Sequence, residues 1–214
     1  DRARVPISAR LMMDLITVGG VDRIITMDLH SPQIQGFANV PFDHLYSRIA
    51  LLDRLREFKL DENTGVVLAP DVGSAKMSQS YAKKLQIGFA LIDKRRPKPN
   101  MAEVANLVGD LNQKHVLIID DMIDTAGTIC NAAQTAIDEG ALSVTAVATH
   151  PVLSGLSIEK LSKSLISKVI VCNTIDIKQK VKFEKLEVIS VADVFGESIK
   201  RIGDGTSISS MFDF

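Results

Sequence analysis

The stretch 116–128, VLIIDDMIDTAGT, joins a short apolar run to a polar turn that leads into a helical pattern. The run 116–119 is continuously apolar, as in strands that are buried on both faces of a parallel sheet. Two adjacent carboxylates, Asp120 and Asp121, come next, and residues 124–128 are small, hydroxylated or glycine apart from one further acid. The sequence therefore predicts a strand, a turn and a helix of an α/β fold.

The turn has the chemistry of a phosphate site. Thr125 and Thr128 carry hydroxyl donors, and a turn that contains Gly127 can aim backbone N–H groups at an anion beside the positive end of the next helix. Asp120 and Asp121 would repel a phosphate unless they bind hydroxyl groups or a hard cation. A ribose phosphate with Mg²⁺ supplies both, so we predict a ribose-phosphate site. The alternative is that the two acids only cap the following turn or helix.

Composition and charge argue against several classes of protein. The 214 residues are 46% hydrophobic, with 25 Lys and Arg against 26 Asp and Glu, which is typical of a soluble globular protein. Nucleic-acid binding usually requires an excess of basic residues, which this balance does not supply. The sequence contains no apolar run of the roughly 18 residues that span a membrane. Cys130 and Cys172 lie in apolar contexts, so we expect core thiols in a reducing compartment.

Strands and helices alternate along the rest of the chain. We predict helices over 8–18, 46–58, 77–85, 129–139, 157–164 and 191–201, strands over 23–27, 66–69, 89–92, 116–119, 144–148, 168–172 and 186–189, and a loop over 32–44. This alternation predicts a mainly parallel, doubly wound sheet. Polar or basic clusters follow the predicted strands, and ligands of such sheets bind beyond the carboxyl ends of the strands. One pocket could therefore collect several of these clusters.

Two of these motifs resemble those of a known family. The stretch 116–128 is similar to the phosphoribosyl-diphosphate signature of phosphoribosyltransferase-type folds. MDLHSPQIQG at 27–36 closely resembles the metal and ATP-phosphate segment of the ribose-phosphate pyrophosphokinases. The resemblance covers essentially the whole chain and implies a phosphoribosyltransferase-type sheet with a remnant of a second, similar domain. The implied activity is transfer of a diphosphoryl group from ATP to ribose 5-phosphate, which gives 5-phosphoribosyl 1-diphosphate and AMP for nucleotide biosynthesis.

The resemblance also assigns roles to individual residues. It implies that the 5-phosphate is held by Asp124, Thr125, Ala126, Gly127 and Thr128, that Asp120 and Asp121 bind the ribose hydroxyls or their Mg²⁺, and that Ser207 and Ser209 contact a regulatory anion. His30 and Asp71 would contact the metal and the polyphosphate, and the contact of His30 with the metal could be direct or through water. Lys94 and Arg96, on a mobile basic loop over 94–98, would stabilise the transition state, and Arg96 would also contact the ribose phosphate.

Each assignment outside the central stretch has a structural alternative. Asp71 and the glycine two residues later fit ordinary turn chemistry, and His30 fits a hydrogen-bonded residue at a strand end. The basic run 94–98 fits a solvated loop, and residues 205–209 fit a flexible tail. For the remaining histidines we expect structural roles; these are His44, His115 and His150.

The resemblance further predicts how the chain is organised. Residues 1–45 would be the remnant of an N-terminal phosphoribosyltransferase-like domain, 46–186 the domain with the ribose-phosphate site, and 187–214 a segment that returns to the first domain. Because the family has part of its ATP site upstream of the residue that is Asp1 here, we expect a fragment that binds ribose 5-phosphate but turns over slowly. A cytoplasmic homo-oligomer, hexameric by resemblance, is implied. The alternatives are a phosphoribosyltransferase and a non-catalytic regulatory homologue that binds ribose phosphates.

Overall fold

The computed structural model describes residues 7–95, 104–177 and 183–212, without the side chains of residues 94, 95, 104 and 105. The chain divides into two compact units, Asp1–Ser47 and Arg48–Phe214. This division falls two residues after the boundary predicted at residue 45. Residues 187–214 lie in the second unit, and their return to the first domain of a longer protein stays a prediction.

The first unit contains one α-helix and a pair of short strands. Helix α1 spans Ser8–Val18, and strands β1, Ile24–Met27, and β2, Phe42–Leu45, pair in parallel. A 3₁₀ helix, Pro32–Phe37, lies between the strands. The prediction of a loop over 32–44 is wrong for β2, because this strand is defined by its pairing with β1 and has only one buried residue to signal it.

The second unit is built on a seven-stranded sheet with the order β5-β4-β3-β6-β7-β8-β9. Its elements are α2 (Arg48–Arg56), β3 (Gly65–Ala69), α3 (Ala75–Leu85), β4 (Gly88–Arg95), β5 (Val104–Val108), β6 (His115–Ile123), α4 (Gly127–Asp138), β7 (Ser143–Pro151), α5 (Ser157–Lys163), β8 (Lys168–Cys172), β9 (Leu186–Ile189), α6 (Ala192–Gly203) and a 3₁₀ turn (Ser209–Met211). Neighbouring strands of this described sheet run parallel except β4 and β5. The predicted mainly parallel α/β fold is confirmed.

The core lies on both faces of the central strands. Every residue of β3 is buried, and so are the four apolar residues that follow His115 in β6. On one face, the small residues Ala132, Ala133 and Ala136 of α4 are fully buried in the same cluster as Ile118. Each fully buried Val, Leu or Ile contributes about 1.5–3 kcal/mol of hydrophobic free energy, so the strands that carry the polar turns are rigidly held.

Two strands extend further than the sequence indicates. Strand β6 continues through the acid pair, because Met122 and Ile123 pair with the end of β7, so the predicted stop at residue 119 is wrong. Strand β4 continues through Arg95 and forms an antiparallel pair with β5, in which Lys94 is opposite Ala105. Lys94 therefore lies on a strand and not in a loop, and β5 itself was not predicted. In the described part of the chain no helix is long and apolar enough to cross a membrane.

Candidate functional site at the carboxyl ends of β3 and β6

Strands β3 and β6 meet where the order of the sheet reverses. The chain passes from β3 to its neighbour β4 on one side, and from β6 to β7 on the other. The crevice outside the strand ends at such a reversal is where open α/β sheets bind ligands. Asp71 follows β3 by two residues, and the acid pair lies near the end of β6. The structure thus brings together polar residues that are about 50 positions apart in the sequence.

The acid pair is crowded and partly dehydrated. Asp121 is 9% exposed and Asp120 is half-buried. Burial, the neighbouring carboxyl of Asp121 and, to a smaller extent, Asp71 raise the pKa of Asp120 to about 7. The N–H of Asp121 donates to Oδ1 of Asp120 at 2.9 Å and opposes that shift. This excess of negative charge would be relieved by a cation or by hydroxyl donors.

The turn after β6 leaves the start of α4 open. Ala126 is the N-cap residue, is 4% exposed and has a left-handed backbone with φ 61° and ψ 5°. The N–H of Cys130 donates to the Ala126 carbonyl at 3.0 Å, so the N–H groups of Gly127 to Ile129 precede the first helical bond. Thr125 and Thr128 are exposed. Open N–H groups, hydroxyls and a helix N-terminus together suit a phosphate.

A second segment, between β7 and α5, holds this turn from outside. The N–H of Leu153 donates to the Ile123 carbonyl at 2.9 Å, and the N–H of Ser154 donates to the Asp124 carbonyl at 3.1 Å. The Ser154 hydroxyl donates to the Asp124 carboxylate. Sequence reasoning missed this segment, because a separation of 30 positions leaves no local signal.

Asp71 has the turn role that was the alternative to metal binding. Its Oδ1 accepts the N–H of Ser74 at 3.0 Å, and the Ser74 hydroxyl donates to the Asp71 carbonyl at 3.0 Å. These bonds shape the start of α3. The charge of Asp71 nevertheless acts on Asp120, so the two interpretations of Asp71 are compatible.

The remaining predicted site residues belong to other parts of the chain. His30 is exposed and lies in the first unit, three residues after β1. Lys94 is on β4 without a described side chain, and Arg96 lies outside the described residues. Around Ser207 and Ser209, the Arg201 guanidinium donates to the Ser207 carbonyl at 3.0 Å and to the Ser210 hydroxyl at 2.6 Å. This part of the tail is therefore held by α6.

The histidines that were expected to be structural each have a hydrogen-bond partner. Nε2 of His44 accepts the N–H of Leu29 at 3.0 Å, and burial lowers the pKa of His44. His115 and His150 bond the Ser143 and Thr174 hydroxyls at 2.8 and 2.9 Å. These bonds agree with structural roles.

The carboxylates of the site fit a hard cation that shares its ligand shell. Among the described residues, no group of three or more His, Cys, Asp or Glu side chains could hold a metal ion by itself. Mg²⁺ usually binds through one or two carboxylates together with substrate phosphates and water. Asp120 and Asp121, with Asp71 nearby, supply donors of the right kind for such a shared ion.

The fold places the chain among α/β proteins with a mainly parallel sheet, and the candidate site lies at the switch point of that sheet. A family model for the phosphoribosyl synthetase-associated domain matches residues 94–213. The chain is 48% identical to the ribose-phosphate pyrophosphokinase of Chlorobaculum tepidum, over 100% of this chain and 65% of that protein. It is 49% identical to the Aquifex aeolicus enzyme of the same name, over 99% of this chain and 68% of that protein.

A solved structure agrees with these sequence matches. The crystal structure of phosphoribosylpyrophosphate synthetase from Mycobacterium smegmatis superposes with a TM-score of 0.87 and 36% identity, over 95% of this chain and 66% of that one. The chain belongs to the ribose-phosphate pyrophosphokinase family. It spans about two thirds of the length of the curated relatives that it matches.

Proposed function

We propose that the protein takes part in transferring a diphosphoryl group from ATP to the 1-hydroxyl of ribose 5-phosphate. The hydroxyl oxygen attacks the β-phosphorus, and the bond from that phosphorus to the oxygen shared with the α-phosphate breaks. The hydroxyl proton passes to solvent, AMP is the leaving group, and 5-phosphoribosyl 1-diphosphate is the other product. The observation that carries the proposal is the juxtaposition of a crowded acid pair, Asp120 and Asp121, with the open N-terminus of α4. Membership of the family supports it, since the relatives carry the name of this activity.

The turn at α4 binds the 5-phosphate in this proposal. The N–H groups of Gly127 and Thr128 and the hydroxyls of Thr125 and Thr128 donate to the phosphate oxygens. Asp124 and Ala126 contribute through their backbone. The helix dipole favours an anion here by roughly 0.3–1 kcal/mol, and each hydrogen bond to a charged group adds about 1.5–3 kcal/mol.

The acid pair binds the ribose end of the same ligand. Asp120 and Asp121 accept hydrogen bonds from the ribose hydroxyls or would hold a Mg²⁺ ion together with them. Asp71 and His30 would contact the metal and the polyphosphate of ATP. When bound, Mg²⁺ neutralises phosphate charge and polarises the phosphoryl group under attack. The carboxylates fix the direction of the attacking hydroxyl, so positioning supplies a large part of the rate.

Lys94 and Arg96 complete the site in this proposal. Cations that meet the transferred group as its charge develops stabilise the transition state more than the ground state. Strand β4, which carries Lys94, neighbours β3 in the sheet. We further propose a cytoplasmic homo-oligomer, with a regulatory anion bound near Ser207 and Ser209.

A coupled assay for AMP tests the proposed activity. AMP should be released from ATP only when ribose 5-phosphate is present, and ribose itself should not replace the phosphorylated sugar. Consumption of 5-phosphoribosyl 1-diphosphate with a purine or pyrimidine base would instead identify a phosphoribosyltransferase. Binding of ribose 5-phosphate without any AMP release would favour the regulatory homologue.

A further inference from the structure

We propose that Ser154 and Lys160 are positioning residues that hold the phosphate-binding turn in its binding conformation. The two residues belong to the β7–α5 segment, defined here as residues 152–160. This segment carries none of the residues assigned to the ligand, but it bonds to two of them, Asp124 and Thr125. The inference rests on the proposed function, because it names what keeps the ribose 5-phosphate site of that function in shape.

Three successive carbonyl groups of the turn accept hydrogen bonds from this segment. The Ile123 and Asp124 carbonyls accept the N–H groups of Leu153 and Ser154 at 2.9 and 3.1 Å. The Thr125 carbonyl accepts the Lys160 ammonium at 3.1 Å. The whole length of backbone between β6 and the N-cap of α4 is therefore tied to the β7–α5 segment.

These bonds orient the donors of the turn. In a planar trans peptide unit the C=O and the N–H point in opposite directions. Because the carbonyls of residues 123–125 face the β7–α5 segment, the N–H groups of Asp124, Thr125 and Ala126 face away from it. A phosphate is attracted by N–H groups and repelled by carbonyl oxygens, so the same bonds that restrain the turn also present its favourable side.

Ser154 controls the one negative side chain in the turn. The Asp124 carboxylate is exposed, and it would repel a phosphate bound a few residues away. The Ser154 hydroxyl donates to this carboxylate, while the Ser154 backbone holds the adjacent carbonyl. Loss of the hydroxyl would free the carboxylate to rotate towards the phosphate.

Lys160 adds positive charge beside the turn, and within residues 7–95, 104–177 and 183–212 its ammonium forms no ion pair with a carboxylate. Its ammonium lies on the Thr125 carbonyl. Its charge also reaches the thiol of Cys130 in the first turn of α4, where it opposes the rise in the pKa that burial causes. Lys160 therefore faces the N-terminal end of α4 and adds to the attraction for an anion there.

Backbone strain on both sides of this contact agrees with a restraining role. Ala126 in the turn and Leu153 in the β7–α5 segment both have left-handed backbones, with φ 61° and 48°. For a residue other than glycine this conformation is sterically unfavourable. Such strain persists where surrounding bonds determine the conformation, and here the hydrogen bonds between the two segments do so.

Isothermal titration with ribose 5-phosphate tests the proposal. Lys160→Met keeps the length of the side chain and removes the charge and the bond; we expect the Kd to rise about tenfold, as for the loss of one bond to a charged group. Lys160→Arg should restore most of the affinity, and Ser154→Ala should weaken binding about threefold to tenfold. Lys163→Met is the matched control, because Lys163 lies on the same helix, is 75% exposed and pairs with Glu159.

The outcomes separate this proposal from the proposed function. If wild type binds ribose 5-phosphate and the Lys160→Met and Ser154→Ala variants bind equally well, the positioning role is wrong and the function stands. Equal weakening by Lys163→Met would also overturn it, since only general charge would then matter. If wild type does not bind the ligand, the proposed function fails at this site.

Amide hydrogen exchange at Leu153, Ser154 and Cys130, whose N–H groups donate to the carbonyls of residues 123, 124 and 126, decides the positioning role in that last case. Lys160→Met should speed exchange there in the absence of ligand, and unchanged exchange would overturn the proposal. Should Ser154→Ala fail to fold, Ser154→Thr supplies the complementary test. It keeps the hydroxyl, so it should retain wild-type affinity and wild-type exchange, and a loss of either would contradict the assigned role.

Discussion

The two strand-to-helix junctions at the switch point look alike in sequence but are built differently. The β3–α3 junction reads Asp71, Val72, Gly73, Ser74, and the β6–α4 junction reads Asp124, Thr125, Ala126, Gly127. Each has an aspartate, a glycine and a hydroxyl residue before a helix. By composition alone, either junction could be a phosphate site or an ordinary capped turn.

The β3–α3 junction satisfies its own hydrogen bonds. Asp71 accepts from the Ser74 N–H, and the Ser74 hydroxyl donates back to the Asp71 carbonyl. Asp71 therefore accepts a hydrogen bond from the Ser74 N–H at the start of α3, and this N–H group is no longer open to a ligand. The charge of Asp71 remains available to a ligand. This charge helps to raise the pKa of Asp120, which lies on the neighbouring strand β6.

The β6–α4 junction depends on a distant segment instead. Its carbonyls and its aspartate are bonded by Leu153, Ser154 and Lys160. The N-cap residue is an alanine with no side-chain acceptor, so the first N–H groups of α4 stay open. Where tertiary contacts, and not side chains of the turn itself, satisfy the backbone carbonyls, the first N–H groups of the helix can stay open to a ligand.

The largest expected effect comes from removing the acid charge on the β6 side. Asp120→Asn with Asp121→Asn should lower ribose-5-phosphate-dependent AMP release by at least ~10³-fold, because in the proposed function both carboxylates orient the attacking sugar. Asp71→Asn keeps an oxygen for the Ser74 N–H and should lose only about tenfold. AMP assays on the two variants measure the comparison. If Asp71→Asn were as inactive as the double variant, the β3–α3 junction would contribute as much to catalysis as the acid pair, and the comparison would be wrong.

The next effect concerns stability and pH in metal-free buffer. Burial and its acidic neighbours raise the pKa of Asp120 to about 7 from 3.8, so the folded state holds a proton between about pH 4 and 7 that the unfolded state has lost. The free energy of unfolding therefore falls as pH rises through this window. Asp120→Asn cannot titrate and avoids that loss.

Urea unfolding at pH 5 and pH 8, with EDTA present, measures this difference. The free energy of unfolding of Asp120→Asn, relative to that of wild type, should rise by about 2 kcal/mol from pH 5 to pH 8. This value is smaller than the full shift in the pKa of Asp120 would give, because Asp120 is only half-buried and shares charge with Asp121. Asp53→Asn, at a side chain 79% exposed on α2, is the control. An advantage that is the same at both pH values would contradict the raised pKa.

Much of the sheet could be predicted from the sequence because its central strands are buried on both faces. Strand 168–172, of which residues 169–172 are buried, was predicted with the bounds that the structure has, and the stretch 116–128 predicted a strand, a turn and a helix in that order. Continuous apolar runs are strong signals of this kind. The class of the fold followed from the alternation of these runs with helical patterns.

What could not be predicted depends on partners that are distant in the sequence. Strands β2 and β5 have only four and five residues, and each exists through pairing with a neighbour. The extension of β6 past Asp121 depends on the end of β7 in the same way. The bonds from Ser154 and Lys160 leave no local pattern, and the dual use of Asp71 required its two hydrogen bonds to be seen.

A smaller effect separates the hydroxyls of the two junctions. Thr128→Val, which removes a donor at the open N-terminus of α4, should raise the Kd for ribose 5-phosphate about tenfold with little change in stability. Ser74→Ala, at the closed junction, should leave that Kd unchanged and lower the free energy of unfolding by about 1 kcal/mol. Calorimetric titration and urea unfolding of both variants measure the contrast. Weaker ligand binding by Ser74→Ala would show that the β3–α3 junction also contacts the sugar phosphate.

The smallest effect is expected at Ala126, the N-cap residue of the β6–α4 junction. Ala126→Gly relieves a left-handed backbone, which gains about 1 kcal/mol, but it loses a buried methyl group worth about 0.8 kcal/mol and adds unfolded-state entropy worth about 0.4–1 kcal/mol. These terms nearly cancel, so thermal unfolding and ribose 5-phosphate affinity should stay close to wild type. Ala126→Val is the matched comparison, because a β-branched residue disfavours positive φ and should lower the free energy of unfolding by about 2 kcal/mol or more. A Val variant as stable as the Gly variant would mean that residue 126 is not left-handed in solution, and the open start of α4 would then need another explanation.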